Sequence, residues 1–281
     1  MIVGHIILAH KGSEQIMRLI RAVNTQNSFV IIHLDKKTNS REFDSLGKLP
    51  NVHFVKNRLS VNWGGFSQIS AVINSIELLL KICPNTNYIN LLSGQDYPVR
   101  KISEFHEYLT NNPKLAFMEF FEEDDPWVVS AHDRFNHYHL SDNFFFGKYR
   151  VEKIMDLILP KRRFPNGFKL VGKSQWFTID QESASYIIKI FKSDRRLVEC
   201  FRYSWGADEL FFQSLLYNSP LKDKLVNKNL RYIDWSEGKS SPKLLGISDT
   251  PMFQNGDYFF ARKFDIDLDK EVLDYIDNKI L

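Results

Sequence analysis

The stretch Val3–Ala9 is apolar almost throughout and is followed at once by Lys11-Gly12-Ser13. A run this short and this apolar reads as a strand buried on both faces, which means a parallel strand covered by helices on either side. Behind it, Ser13 reads as the cap of a helix that carries apolar residues at helical spacing to Val23. Phe29–Leu34 repeats the strand pattern, Val52–Val55 is a short third strand, Ser67–Cys83 an amphipathic helix and Tyr88–Leu92 another buried strand. This alternation predicts an α/β fold with right-handed crossovers and a central, mostly parallel sheet flanked by helices. In such sheets a ligand lies beyond the carboxyl ends of the strands. His10, Asp35 and Asp96 all follow such ends.

Farther along, Lys173–Ile179 reads as a strand, Gln181–Lys192 as a helix, and Asp208–Tyr217 as a helix whose acidic residues sit at its positive end. No repeat or low-complexity linker divides the 281 residues, so a single domain is expected. A hydrophobic share of 43% and a charged share of 25% belong to an ordinary globular chain. The net charge of +3, with Lys and Arg scattered, is too small to imply nucleic acid, and no nucleic-acid partner is expected. Cys83 and Cys200 are the only cysteines, which argues against a disulfide framework and for a reducing compartment. Met1–His10 is too short and too polar for a signal peptide, and no apolar stretch approaches ~20 residues. A cytoplasmic chain is expected, with peripheral contact at the inner face of a membrane as an open option through Lys161-Arg162-Arg163. His132, His137 and His139 lie close in sequence, but their spacing points to hydrogen bonding rather than metal binding.

Two segments carry the chemistry. Tyr258–Asp265 sets Arg262 and Lys263 among aromatic residues, and Gly206–Phe212 opens an apolar run with Asp208-Glu209. Burying a charge is costly unless it is paired, so Arg262 and Lys263 imply an anion. A nucleotide diphosphate would serve, and so would a salt bridge from Lys263 to Asp265 or Asp267. Asp208 and Glu209 read either as functional carboxylates or as residues that merely favour a helix start.

Five blocks in order along the chain carry a family resemblance: Ile6–Lys11, Ile32–Lys37, Ile89–Val99, Ala207–Glu209 and Phe260–Asp265. Together they resemble the glycosyltransferase family that holds the core-2/I-branching β-1,6-N-acetylglucosaminyltransferases and the peptide O-xylosyltransferases. The resemblance implies a GT-A-like, Rossmann-related fold with a nucleotide-binding half over 1–110 and an acceptor-binding and catalytic half over 111–281. It implies transfer with inversion from a UDP-sugar, with GlcNAc or xylose as the sugar, to a glycan hydroxyl. A lipid-linked oligosaccharide in surface polysaccharide synthesis is one such acceptor.

By the same resemblance, Glu209 is the base that takes the acceptor proton, with Ala207 in place of the family's proline. Lys263 faces the diphosphate. The family's second cation, an arginine, is missing, and Lys243, Lys239 or Arg262 is left to replace it. Neighbouring strand residues point to opposite faces, so Arg262 and Lys263 are not both expected on the phosphates. Leu8, Ala9, His10, Asp35 and Trp63 match the nucleotide-sugar pocket, although Trp63 also reads as a core tryptophan beside a turn. Asp96, Glu119, Arg134 and Trp235 fall on the acceptor side.

Many nucleotide-sugar enzymes hold a divalent cation with Asp-x-Asp at the fourth strand end, where this chain has only Gly94-Gln95-Asp96. Asp265-Ile266-Asp267-Leu268-Asp269 holds the pattern twice but lies near the C-terminus. The resemblance implies catalysis with no metal and no cofactor, basic side chains taking the ion's place. Two other readings stay open: a metal-dependent transferase of another GT-A family, and a non-catalytic module that binds a nucleotide or glycan.

Overall fold

The computed structural model describes residues 1–254 and 256–280. In chain order the strands are β1 (Val3–Ala9), β2 (Ser28–Leu34), β3 (Val52–Phe54), β4 (Tyr88–Ser93), β5 (Asp96–Pro98), β6 (Ala116–Phe121), β7 (Gly172–Asp180), β8 (Leu225–Asn227), β9 (Arg231–Ile233) and β10 (Phe260–Arg262). They fall into two compact units. The first comprises Met1–Lys56, Leu78–Pro113 and Leu230–Leu281, and the second Asn57–Glu77 with Lys114–Asn229.

In the first unit β3, β2, β1 and β4 lie side by side, all parallel, with Ala9 level with Leu34 and Leu8 level with Ser93. The apolar runs read as buried strands are buried: Val3, Ile6, Ile7, Val30, Ile31, Ile32, Leu91 and Leu92 have essentially no exposed surface. The α/β pattern read from the sequence is the arrangement found. A smaller sheet places β10 between β5, antiparallel, and β9, parallel.

The helix Ser13–Val23 begins as expected, but its serine does not cap it. Gly12 takes the cap position at φ 72°, and no side chain accepts a hydrogen bond there. That left-handed backbone suits glycine, and it lets the chain turn sharply out of β1 into the helix.

In the second unit β6 pairs antiparallel with β7 and parallel with β8. Its core is strongly aromatic. Phe135, Phe177, Phe201, Phe211 and Phe212 are buried, and Phe201 meets Phe211 edge-on at 5.0 Å between centroids. Edge-to-face pairs contribute about 0.5–1.5 kcal/mol beyond the area they bury. Much of the chain's wealth of phenylalanine is therefore spent on packing.

Candidate active site

Two of the three strand ends singled out in the first unit converge by register. Ala9 and Leu34 are level, and the backbone N–H of Asp35 donates to the Ala9 carbonyl at 2.8 Å. His10 and Asp35 are thereby set side by side at the carboxyl edge of the parallel strands, and the Thr38 hydroxyl donates to the His10 carbonyl at 2.8 Å. The largely buried Asp35 carboxylate accepts from the Lys37 backbone N–H at 2.8 Å, with the Lys37 ammonium 3.6 Å away. Leu8 is half-buried and Ala9 buried on the same strand, while His10 is exposed. Partial burial, then the positive charges of Lys11 and Lys263, hold His10 below the ordinary histidine range.

The aromatic-flanked cations separate cleanly. Arg262, the last residue of β10, donates from Nε to Asp96 at 2.9 Å, and Asp96 has no exposed surface. Asp96 also accepts from the Ser93 N–H at 3.1 Å. Burial pushes the Asp96 carboxyl up, against the pull of Arg262 and Arg231. The carboxylate is thus enclosed and committed inside the first unit, not presented to solvent. Lys243 is also engaged, 2.6 Å from Asp249. Lys263 has neither a hydrogen bond nor an ion pair from its side chain among the described residues. It is half-buried, and burial first, then Arg262 and Lys11, lower its pKa. Asp265, which the sequence offers as a salt-bridge partner for Lys263, pairs with Lys11 at 2.6 Å instead.

Gln15 holds this region together, a role that sequence reasoning missed. Its buried amide donates to the Gly94 and Phe264 carbonyls at 3.0 and 3.2 Å and accepts from the Ile266 N–H at 2.8 Å. One helical side chain thus ties the end of β4 to the segment carrying Lys263. Only its place as a polar residue among the helix's inward positions could have signalled it. Arg231 is a second omission. It is buried beneath β4 and donates to the Leu91 carbonyl at 2.8 Å.

The second unit gathers another set. Glu209 lies in a short 3-10 turn, Ala207–Glu209, separate from the helix Phe211–Tyr217. The continuous Asp208–Tyr217 helix expected from sequence is broken there. Arg134 donates to Glu209 at 2.8 Å and lies over the rings of Trp205 and Trp127, at 4.7 and 5.2 Å from their centroids. Trp63 meets Trp205 edge-on at 5.2 Å and is 68% exposed, so it is no core residue.

Two glycines permit this close assembly. A Cβ on Gly64 (φ 67°) would fall 2.7 Å from the Trp205 Nε1, and one on Gly206 (φ 67°) 2.9 Å from the Arg134 Nη1. The Gly206 N–H donates to the Gly64 carbonyl at 2.9 Å, joining the two turns. The glycine beside Trp63 therefore admits another tryptophan at close range.

Burial raises the Glu209 carboxyl, and Arg134 opposes that rise. Burial and the neighbouring Glu209 charge push Asp208 to about 7. Leu210 separates this pair from the helix Phe211–Tyr217, so neither carboxylate lies in that helix's first turn. Of the acceptor-side residues, Glu119 is taken up by Lys173 at 2.5 Å and Asn229 at 2.9 Å. Trp235 follows β9 in the first unit and is half exposed.

Residues 3–252 match the family model described as Core-2/I-Branching enzyme. The chain belongs to that family. The matched stretch takes in four of the five blocks and ends before Phe260–Asp265. Membership places this Core-2/I-Branching chain among the glycosyltransferases. It is 26% identical over 307 residues to Xylosyltransferase 1 of Rattus norvegicus, an alignment covering 98% of this chain and 35% of that protein. With Xylosyltransferase 2 of Canis lupus familiaris it shares 27% over 302 residues, covering 98% and 33%. The chain thus spans about a third of the length of these curated relatives. Among solved structures, mouse Xyloside xylosyltransferase 1 in its apo form aligns at 12% identity with a TM-score of 0.40, covering 92% of this chain and 97% of that one.

Proposed function

We propose that this chain transfers a sugar from a UDP-sugar to a hydroxyl of a glycan acceptor, with inversion and without a divalent metal. The observation that carries the reading is Glu209: a half-exposed carboxylate with a raised pKa, oriented by Arg134 and set among Trp205 and the exposed Trp63. In the step, the acceptor oxygen forms a bond to the anomeric carbon as the bond from that carbon to the β-phosphate oxygen breaks. The hydroxyl proton passes to Glu209, and UDP leaves with the bonding pair. A base whose pKa is lifted towards the working pH suits this task. The aromatic faces of Trp63 and Trp205 offer apolar surface to a sugar ring.

Lys263 supports the donor half of the reading. A half-buried ammonium among other cations, with no ion pair among the described residues, is stabilised by an incoming diphosphate. Arg262 and Lys243 are already paired with Asp96 and Asp249. His10 and Asp35, with Leu8 and Ala9, are assigned to the nucleoside. A neutral His10 adds no charge and leaves its ring nitrogens for hydrogen bonding. The names of the relatives favour xylose over GlcNAc as the sugar. A surface polysaccharide or other glycoconjugate, on a lipid carrier, is the acceptor class assigned, with the reaction placed in the cytoplasm.

The test is a donor screen that follows UDP release from a panel of UDP-sugars, with and without simple glycan acceptors. Release from UDP-xylose or UDP-GlcNAc, lost in Glu209→Gln, is the expected result. Tight UDP binding with no release from any donor would instead identify a non-catalytic binding module.

A further inference from the structure

The helix Lys148–Ile158 in the second unit is turned inside out relative to an ordinary surface helix. Its two acids are engaged: the buried Glu152 accepts from the Leu140 N–H at 2.7 Å, and the exposed Asp156 accepts from the Tyr138 N–H at 2.8 Å and lies 3.0 Å from His137. Its apolar residues face outward. Val151, Ile154 and Ile158 form an exposed stripe at helical spacing, and Leu157 beside it is 84% exposed. The preceding turn adds Phe144 at 81% exposed and a fully exposed Phe146, and Tyr149 extends the same surface. Single exposed apolar residues are ordinary, but a contiguous group of this kind marks an interaction surface.

Charge decides what it fits. Arg150, Lys153, Lys161 and Arg163 are exposed around the apolar residues, and the Lys148 ammonium lies over the rings of Tyr149 and Phe144 at 5.1 and 5.8 Å. Arg162 alone among the nearby cations turns inward, donating to the carbonyls of His137, Tyr203 and Cys200. With Glu152 buried and the exposed Asp156 taken up by His137 and the Tyr138 N–H, the exposed rim is mainly basic. Aromatic and aliphatic residues ringed by Lys and Arg are the composition of helices that lie in the headgroup region of anionic membranes. A second copy of the chain fits poorly, because a two-fold contact would bring the basic rims against each other. Among the described residues no helix is long and apolar enough to cross a membrane. We propose that Phe144–Ile158, with the flanking basic residues, docks this chain on the surface of an anionic lipid bilayer. The proposal stands whether or not the transferase reading holds.

Flotation with lipid vesicles tests it on the whole chain. The protein should float with vesicles of equal parts phosphatidylcholine and phosphatidylglycerol and not with phosphatidylcholine alone, and the binding should weaken as salt rises. A Phe146→Ser/Leu157→Ser/Ile158→Ser variant should stay in the soluble fraction. Arg150→Glu/Lys153→Glu, which alters only exposed charge and should melt like the parent, should lower partitioning at least about tenfold. The proposal is overturned if the parent chain does not float with anionic vesicles, floats equally with neutral ones, or is matched by the charge-reversed variant. Sedimentation showing a dimer that the serine variant dissolves would assign the surface to a second copy instead.

Discussion

Arg134 donates to Glu209 at 2.8 Å while its guanidinium lies over the rings of Trp127 and Trp205. The two rings keep the arginine from swinging away, so the carboxylate has one fixed partner and one fixed orientation. Burial raises the pKa of Glu209 and Arg134 restrains the rise. Loss of Arg134 should therefore let the pKa climb. In Arg134→Gln the acid limb of the kcat/KM profile should move to higher pH, because a base works only when deprotonated. An unmoved limb, whatever the loss in rate, would show that the titrating group is not Glu209.

Glu209→Gln should retain UDP binding and lose turnover by roughly 10²–10⁴-fold, the range for removal of a general base. Calorimetry with UDP and single-turnover transfer measure the two separately. Near-parental turnover would shift attention to Asp208.

Asp208 predicts a pH dependence of stability. Its folded pKa of about 7 lies above the ordinary aspartate value of about 3.9, so folding favours the protonated form. That contribution is complete below about pH 4 and is lost as pH rises through about 7. Urea unfolding across this window should show stability falling with pH in the parent chain and a flatter profile in Asp208→Asn.

Arg262 and Lys263 should part company on mutation. Arg262→Ala leaves the fully buried Asp96 without its ion-pair partner and should destabilise the fold by about 3–5 kcal/mol. Lys263→Ala breaks no ion pair and should leave the melting temperature nearly unchanged. Its effect should fall on kcat more than on UDP affinity, because charge on the leaving phosphate grows towards the transition state. Thermal melts and steady-state kinetics on both variants separate these roles.

Transfer should survive exhaustive chelation. Rates would be compared before EDTA, after it and after Mn²⁺ is restored. Loss followed by recovery would point to a metal-dependent mechanism and reopen the question of what Lys263 does.

The parallel strands of the first unit were legible because buried strands are written as unbroken apolar runs, and β1, β2 and β4 differ from their sequence-read limits by no more than a residue. The break between Glu209 and the helix Phe211–Tyr217 was not legible, since Leu210 continues the apolar pattern across it. For the site, residue type identified the groups with chemistry but not their partners. Arg262 and Lys263 are adjacent in sequence and alike in charge, and only the 166-residue return to Asp96 tells them apart. The Glu209–Arg134 pair spans 75 positions and the Gln15–Phe264 contact 249, distances over which local pattern carries no signal.

The order β5-β10-β9 also governs how the chain is made. Among the described residues β5 pairs with β10 alone, which the ribosome delivers long after β5 itself. Until then Asp96 lacks Arg262 and Gln15 lacks the Phe264 carbonyl. Pairings this distant form late and slowly. A nascent or truncated chain ending before Phe260 would present the parallel strands without the segment that carries Arg262 and Lys263, and so with Asp96 buried beside an absent partner.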